Sequence, residues 1–215
     1  MPINYQVKPG DCISSISFEH GFFPDTIWNH PENAELKKQR KNMNVLRPGD
    51  VVIIPDKRIK EVFEPTNQVH RFKMKSTPAK LRIQFMFDGQ PRANVPYELI
   101  IEGNLVSKPG DKTDSEGFVF CSIAPNAKTG KLTLIENDER IEYELVLGIL
   151  NPVSGISGAH QRLFNLGYYF GPISSEFTEE SRKAVLEFQK AAGLPETGEL
   201  DETTKNKLQS THDLL

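Results

Sequence analysis

The sequence predicts a multidomain α+β protein, because its hydropathy pattern changes character twice along the chain. Residues 1–60 combine two short strands with helices, residues 65–150 hold only short apolar stretches, and residues 151–215 return to a helical period. With 215 residues, 37% of them hydrophobic and 26% charged, the chain is long enough to form several small globular units. We therefore expect three domains with these boundaries.

Composition excludes several classes of function. No stretch approaches the roughly 20 apolar residues that cross a bilayer, so no membrane span is predicted. The formal charge of −3 provides no basic field that would attract nucleic acid. The opening MPINYQVKPGD has neither the basic nor the apolar region of a secretory signal. We expect synthesis in the cytoplasm and, for a role at the cell wall, delivery to the periplasm by a non-classical route.

The titratable side chains indicate neither a metal site nor a cofactor. Cys12 and Cys121 are the only cysteines and lie in different predicted domains, so we expect two separate thiols. The five histidines are scattered singly, without the spacing of a metal motif.

Residues 1–60 predict a strand, two helical stretches and a second strand. Alternation over Asn4–Lys8 predicts the first strand, and Pro9-Gly10 ends it. Asp11 is predicted to cap a short helix that stops at Gly21. The β-branched run Val51–Ile54 predicts the second strand. The one tryptophan, at position 28, is expected in the core.

Three stretches of this segment, YQVKPGD, ISSI and LRPGDVVIIP, closely resemble the LysM module over residues 3–56. The resemblance implies a βααβ fold that binds N-acetylglucosamine-containing glycans in a shallow groove between two loops. Cys12 stands where LysM usually has Thr or Ser. The residues that the resemblance places in the groove are Gly10, Asp11, Cys12, Ile13, Ser14, Asn44, Val45, Leu46 and Arg47.

Residues 65–150 predict a small β-sandwich. Short apolar stretches recur with turn residues between them: HRFKMK, KLRIQFMF, VPYELII, GFVFCSIA, KLTLIE and RIEYELVL. The stretches QPRANVPY and TDSEGFVFCSI resemble immunoglobulin-like or transthyretin-like modules of multidomain bacterial proteins. The resemblance implies a domain that spaces or docks the two ends of the chain.

Residues 151–215 predict three helices. The first ends at Gly167, the second starts after the N-cap Thr178, and Asp201 caps the third. HQRLFNLGYYFGPI and FTEESRKAVLEFQKAAGLPETGELDETTKNKL closely resemble the three-helix peptidoglycan-binding bundle found on cell-wall hydrolases. The resemblance suggests Tyr168, Tyr169 and Gln189 as contacts to glycan or stem peptide. We expect one of the two tyrosines to be in the core instead, and packing is the more frequent role for a residue such as Gln189.

No catalytic arrangement stands out, so the sequence predicts a non-enzyme. A wall hydrolase would need a zinc site, a Cys–His pair or two carboxylates in a cleft. The two wall-type resemblances predict a noncatalytic protein that binds peptidoglycan, through its glycan or its stem peptide. The alternative is a structural or adaptor component of a contractile injection apparatus, a phage tail or type VI secretion system, with other apparatus proteins as partners.

Overall fold

The computed structural model describes residues 1–57, 61, 63–71 and 77–213. The first strand predicted for the middle segment, HRFKMK, lies mostly outside the described residues. Within these residues, three hydrophobic core clusters are present, and each draws on one part of the chain: residues 5–54, 81–147 and 153–208. We call these parts the N-terminal, middle and C-terminal segments.

The N-terminal segment has the predicted order of strand, helices and strand. Its elements are β1 (Ile3–Gln6), α1 (Ile13–His20), α2 (Pro24–Trp28), a 3-10 turn (Pro31–Asn33), α3 (Ala34–Arg40) and β2 (Val51–Ile54). The two strands pair antiparallel, with Ile3 opposite Ile54. Trp28 is buried in the core formed by α1, α2 and β2, as expected.

The prediction that Asp11 caps α1 is wrong, because Cys12 is the N-cap. Cys12 has extended backbone angles, φ −141° and ψ 168°, and its Sγ accepts a hydrogen bond from the Ser15 amide at 3.4 Å. Ser15 Oγ accepts from the Cys12 amide at 3.0 Å and completes a capping box. The Asp11 carboxylate accepts instead from the Lys8 amide, which closes the turn before the helix.

The middle segment is built from antiparallel strands in small sheets. They are β3 (Ala79–Gln84), β4 (Met86–Phe87), β5 (Gln90–Pro91), β6 (Tyr97–Ile101), β7 (Asn104–Leu105), β8 (Phe118–Ile123), β9 (Thr129–Glu136) and β10 (Glu139–Val146). One sheet has the order β10-β9-β6-β7, and β3 pairs with β8 in another. Leu99 and Leu132 from the first sheet and Val119 from the second share one core, so the two sheets pack face to face. Cys121 is half-buried, and burial together with nearby Asp111 raises the pKa of its thiol.

The C-terminal segment contains three helices, α4 (Ile156–Asn165), α5 (Glu179–Ala191) and α6 (Glu202–Asp213). Thr178 caps α5, as predicted, and Ser181 supplies the reciprocal hydrogen bond of the capping box. Asp201 Oδ1 accepts from the Thr204 amide at 2.7 Å, as expected of the cap of α6. A Cβ on Gly158 would lie 2.1 Å from the Pro152 carbonyl oxygen, so glycine is required where the preceding chain crosses α4. Throughout the described residues, every helix falls short of the length and apolar character that crossing a membrane requires.

Candidate binding surfaces

The two loops of the predicted N-terminal groove lie side by side. Ser14 Oγ donates a 2.7 Å hydrogen bond to Asn44 Oδ1, across 30 residues of sequence. The Ile13 amide donates to the Met43 carbonyl oxygen at 2.9 Å. The fold therefore brings the two proposed loop surfaces together.

Several of the proposed groove side chains point into the core. Ile13 is fully buried, and Cys12, Val45 and Leu46 are also buried. Burial of these side chains leaves only their backbone groups for a ligand. The more accessible side chains of the predicted set are Ser14, Asn44 and Arg47.

Buried and half-buried polar contacts hold the two loops in place. The Tyr5 hydroxyl donates to Asp11 Oδ2 at 2.8 Å, and burial together with this carboxylate raises the pKa of Tyr5 to about 12. In the second loop, Asp50 accepts two 2.6 Å hydrogen bonds from Arg40. Burial acts to raise the pKa of Asp50, but the hydrogen bonds from Arg40 and the Arg47 amide outweigh it and lower the pKa.

The middle segment contacts the first loop of this groove. Lys128 Nζ donates a hydrogen bond to the Gly10 carbonyl oxygen and lies 3.7 Å from Asp11 Oδ1. A Cβ built on Gly10 would lie 3.4 Å from Ile149 Cγ1, so the loop backbone approaches Ile149 closely. One carbonyl group of the proposed glycan surface is therefore already engaged by the protein itself.

Two of the three proposed C-terminal contacts are inside the fold. Tyr169 is 2% exposed, stacks on His160 with ring centroids 4.3 Å apart, and donates to the Pro172 carbonyl oxygen at 3.0 Å. Gln189 is fully buried, and its Oε1 accepts from the Gly198 amide at 2.9 Å. Gln189 Nε2 donates to Thr204 Oγ1 at 2.9 Å, among other partners. These side chains hold the fold together, and a ligand reaches neither without rearrangement.

Tyr168 is the predicted C-terminal residue that a ligand can reach. It is half-buried and meets the Phe188 ring edge-on, with ring centroids 5.6 Å apart. Together with Lys207 and Thr211 it lines a cleft of about 180 Å³ between α5 and α6. The expectation that one of the two adjacent tyrosines is in the core is confirmed.

Sequence reasoning missed two exposed apolar residues on the loop between α4 and α5. Phe170 is 77% exposed and Ile173 is 44% exposed. The signal that identifies Phe170 is the run of three aromatic residues from Tyr168 to Phe170, which one short loop cannot bury completely. Exposed aromatic faces of this kind pack against sugar rings and peptide side chains.

Burial of His160 favours its neutral form. Desolvation lowers the pKa of His160, opposed by the nearby Ser174 backbone and by the charge of Glu180. The ring therefore contributes a neutral, hydrogen-bonding side chain at pH 7, and its Nε2 lies 2.8 Å from Ser181 Oγ. Within the part of the chain that the structure describes, no three His, Cys, Asp or Glu side chains converge as a metal site.

Comparison with known proteins bears on the C-terminal segment. No solved structure matched the chain significantly. A family model did match: residues 154–208, about a quarter of the 215-residue chain, fit the model of a peptidoglycan binding domain. The matched range covers α4, α5 and most of α6. The C-terminal segment is therefore a helical domain of the peptidoglycan-binding type.

Proposed function

We propose that this protein binds peptidoglycan without cleaving it. The observation that carries the proposal is the family match over residues 154–208, together with the closed core that the three helices of this range form. Exposed Phe170 and half-exposed Tyr168 supply apolar faces on the surface of the same domain. The principal contact with the wall is assigned to this domain.

The N-terminal segment is proposed as a LysM-type module that adds a second contact with the glycan. Its order of elements and the pairing of β1 with β2 agree with the βααβ arrangement that the resemblance implies. The Ser14–Asn44 hydrogen bond supports a continuous surface across the two loops. Backbone groups of the loops, rather than the buried side chains, would pair with the acetamido groups of the sugar.

The middle segment is proposed to hold the two ends of the chain at a fixed separation. Lys128 contacts the first N-terminal loop. At the other end, Gln161 of α4 binds the chain that connects the middle and C-terminal segments. Its Nε2 donates to the Ile149 carbonyl oxygen at 2.6 Å, and its Oε1 accepts from the Asn151 amide at 2.7 Å. Two weak sites at a suitable separation gain effective concentration, and avidity then exceeds either affinity by roughly 100-fold.

The proposal is tested by mixing the full-length protein with purified sacculi. We expect the protein to sediment with the sacculi and the supernatant to contain no released muropeptides by chromatography. A muramidase that is known to cleave the same sacculi serves as the positive control for release. Protein that stays in the supernatant contradicts the binding proposal, and released fragments contradict the noncatalytic one.

A further inference from the structure

A second cavity lies in the C-terminal domain, away from the residues that the sequence suggested. It has a volume of about 350 Å³ and is formed where the start of α4, the start of α5 and the chain before α6 meet. Its apolar wall consists of Ile156, Phe177 and Leu200. Small-molecule sites have volumes of roughly 300–1,000 Å³, so this cavity suits a ligand of one or two small residues.

Two cationic side chains line the same cavity. Arg182 comes from α5 and Lys205 from α6, while Glu199 supplies one negative charge. The lining therefore carries two cations and one acid beside an apolar wall. This combination fits a ligand that carries a carboxylate next to a small aliphatic group.

The acids that pair with these cations are exposed and easily replaced. Arg182 Nε lies 3.8 Å from Glu179, and Lys205 Nζ lies 3.2 Å from Glu202. The side chains of Glu179 and Glu202 are 83% and 82% exposed. Exposed pairs of this kind are weak because water screens both charges, so a carboxylate in the cavity can replace these acids as the partner of the two cations.

The surrounding structure positions the Arg182 side chain. Gly198 has a φ of +70°, and a Cβ there would lie 2.8 Å from Arg182 Cγ, so the loop rests directly on the aliphatic stem of the arginine. The guanidinium group also lies over the Phe177 ring, 5.9 Å from its centroid. Neighbours therefore contact both the aliphatic chain and the guanidinium group of Arg182, which reduces the side-chain entropy lost when a ligand binds.

We propose that this cavity binds the carboxylate end of a peptidoglycan stem peptide, an inference that rests on the proposed function. The terminal carboxylate lies between Arg182 and Lys205, and an alanine methyl group packs on the wall of Ile156 and Phe177. Glu199 at the rim accepts from a peptide N–H of the stem. The glycan does not fit this chemistry, because N-acetylglucosamine is neutral and the lactyl carboxyl of the wall is amide-bonded to the stem.

The probe for the test is N-acetyl-D-alanyl-D-alanine, titrated into the isotope-labelled full-length protein and followed by amide NMR shifts. We expect saturable shifts at residues around the cavity at millimolar concentrations of the peptide. Arg182→Gln and Lys205→Gln should each weaken binding roughly 10-fold, because each removes a charge-assisted hydrogen bond. Lys183→Gln on the same helix is the matched control, since Lys183 is exposed and outside the cavity lining, and it should bind like wild type.

Two ligand controls separate a peptide site from general anion binding. The C-terminal amide of the same dipeptide should bind roughly 10-fold more weakly, because it lacks the charge. Equal binding of acid and amide, equal shifts from acetate alone, or unchanged binding by both folded glutamine variants would each overturn the inference. The spectra of the free variants report whether they are folded.

Sedimentation with sacculi separates this inference from the proposed function. Retention on sacculi without any dipeptide binding overturns the inference and leaves the proposed function standing. Failure of the wild-type protein to sediment overturns the proposed function and, with it, the wall role of the cavity. Retention that falls in Arg182→Gln but not in Lys183→Gln supports both.

Discussion

The Lys128 ammonium group lies 3.7 Å from the Asp11 carboxylate and also donates a hydrogen bond to the Gly10 carbonyl oxygen, across more than a hundred residues of sequence. The contact joins the middle segment to the first loop of the predicted glycan groove. A glycan that pairs with the Gly10 carbonyl group competes with the lysine for this acceptor. The contact therefore limits access to one half of the groove.

Removing this lysine should strengthen glycan binding. In Lys128→Ala the Gly10 carbonyl group becomes free, and we expect affinity for an N-acetylglucosamine oligomer to rise about threefold, a modest gain because Lys128 is partly solvated. Lys131→Ala, which removes an ion pair with Glu142 within the middle segment, is the control. Calorimetric titration measures both variants, and an unchanged or lower affinity of Lys128→Ala would contradict this reasoning.

The exposed Phe170 ring should matter for wall binding and not for folding. Phe170→Ala removes a side chain that is 77% exposed, so we expect a stability change within about 0.5 kcal/mol and a reduced sedimented fraction with sacculi. Phe87→Ala is a matched control, because Phe87 is 74% exposed but lies in the middle segment. Equal losses from the two variants would indicate nonspecific adsorption through apolar surface.

Gln189 should behave as a structural residue. Gln189→Ala leaves the buried Gly198 amide without its acceptor, and we expect the C-terminal helices to lose about 2 kcal/mol of stability. Hydrogen exchange of the α5 and α6 amides measures the loss in this part of the chain alone. A variant that exchanges like wild type but no longer binds sacculi would show that Gln189 contacts the ligand after all.

The buried ion pair between α4 and α6 should be sensitive to removal of one partner. Arg162 is fully buried, and its Nε and Nη2 donate to Asp213 at 3.0 and 3.1 Å. Burial tends to raise the pKa of Asp213, yet hydrogen bonds from His212 and Arg162 lower it overall.

Asp213→Ala should therefore destabilise the C-terminal domain by about 3 kcal/mol, because it leaves a buried guanidinium without its counter-charge. Glu202→Ala removes an acid that is 82% exposed and should change stability by less than about 0.5 kcal/mol. Amide exchange rates in α4 measure the stability of both variants. Equally small losses of stability in Asp213→Ala and Glu202→Ala would mean that solvent reaches Arg162.

The C-terminal domain should lose stability in mild acid. The folded state lowers the pKa of His160, so it binds this proton less readily than the unfolded chain does. The stabilising effect of a neutral His160 is complete above the unfolded pKa of about 6.5 and declines below it, by at most about 1.4 kcal/mol per pH unit. Amide exchange in α4 and α5 at pH 7.5 and 5.5 measures the decline.

His160→Gln should flatten this pH dependence, whatever it does to absolute stability. His70→Gln, which alters a histidine outside the C-terminal segment, should keep the wild-type slope. If stability falls with pH at the same slope in wild type, His160→Gln and His70→Gln, then groups other than His160 cause the acid sensitivity.

Local sequence patterns predicted the elements of this fold well. Thr178 before α5 and Asp201 before α6 each act through a neighbour three residues away, so their effects can be inferred from the sequence. The predicted cap of α1 was wrong because a cysteine thiol is a weak acceptor that cap preferences do not favour. The Asp11 carboxylate accepts instead from the Lys8 amide in the turn before the helix.

The site was less predictable because its geometry depends on distant residues. Nothing in the local sequence distinguishes buried Tyr169 from half-exposed Tyr168, since packing against His160 makes the difference. The 350 Å³ cavity takes its lining from three separated stretches, and the Lys128 contact joins two segments. LysM membership of the N-terminal segment, the domain boundaries and the link to a contractile injection apparatus stay predictions.

NMR titration of the full-length protein with soluble peptidoglycan fragments shows whether the C-terminal domain recognises peptidoglycan. We expect saturable amide shifts within residues 154–208, around Phe170 and the cavity of Arg182 and Lys205. Recognition by this domain is contradicted if a large excess of fragment shifts no amide in this range, or shifts only amides of the middle segment.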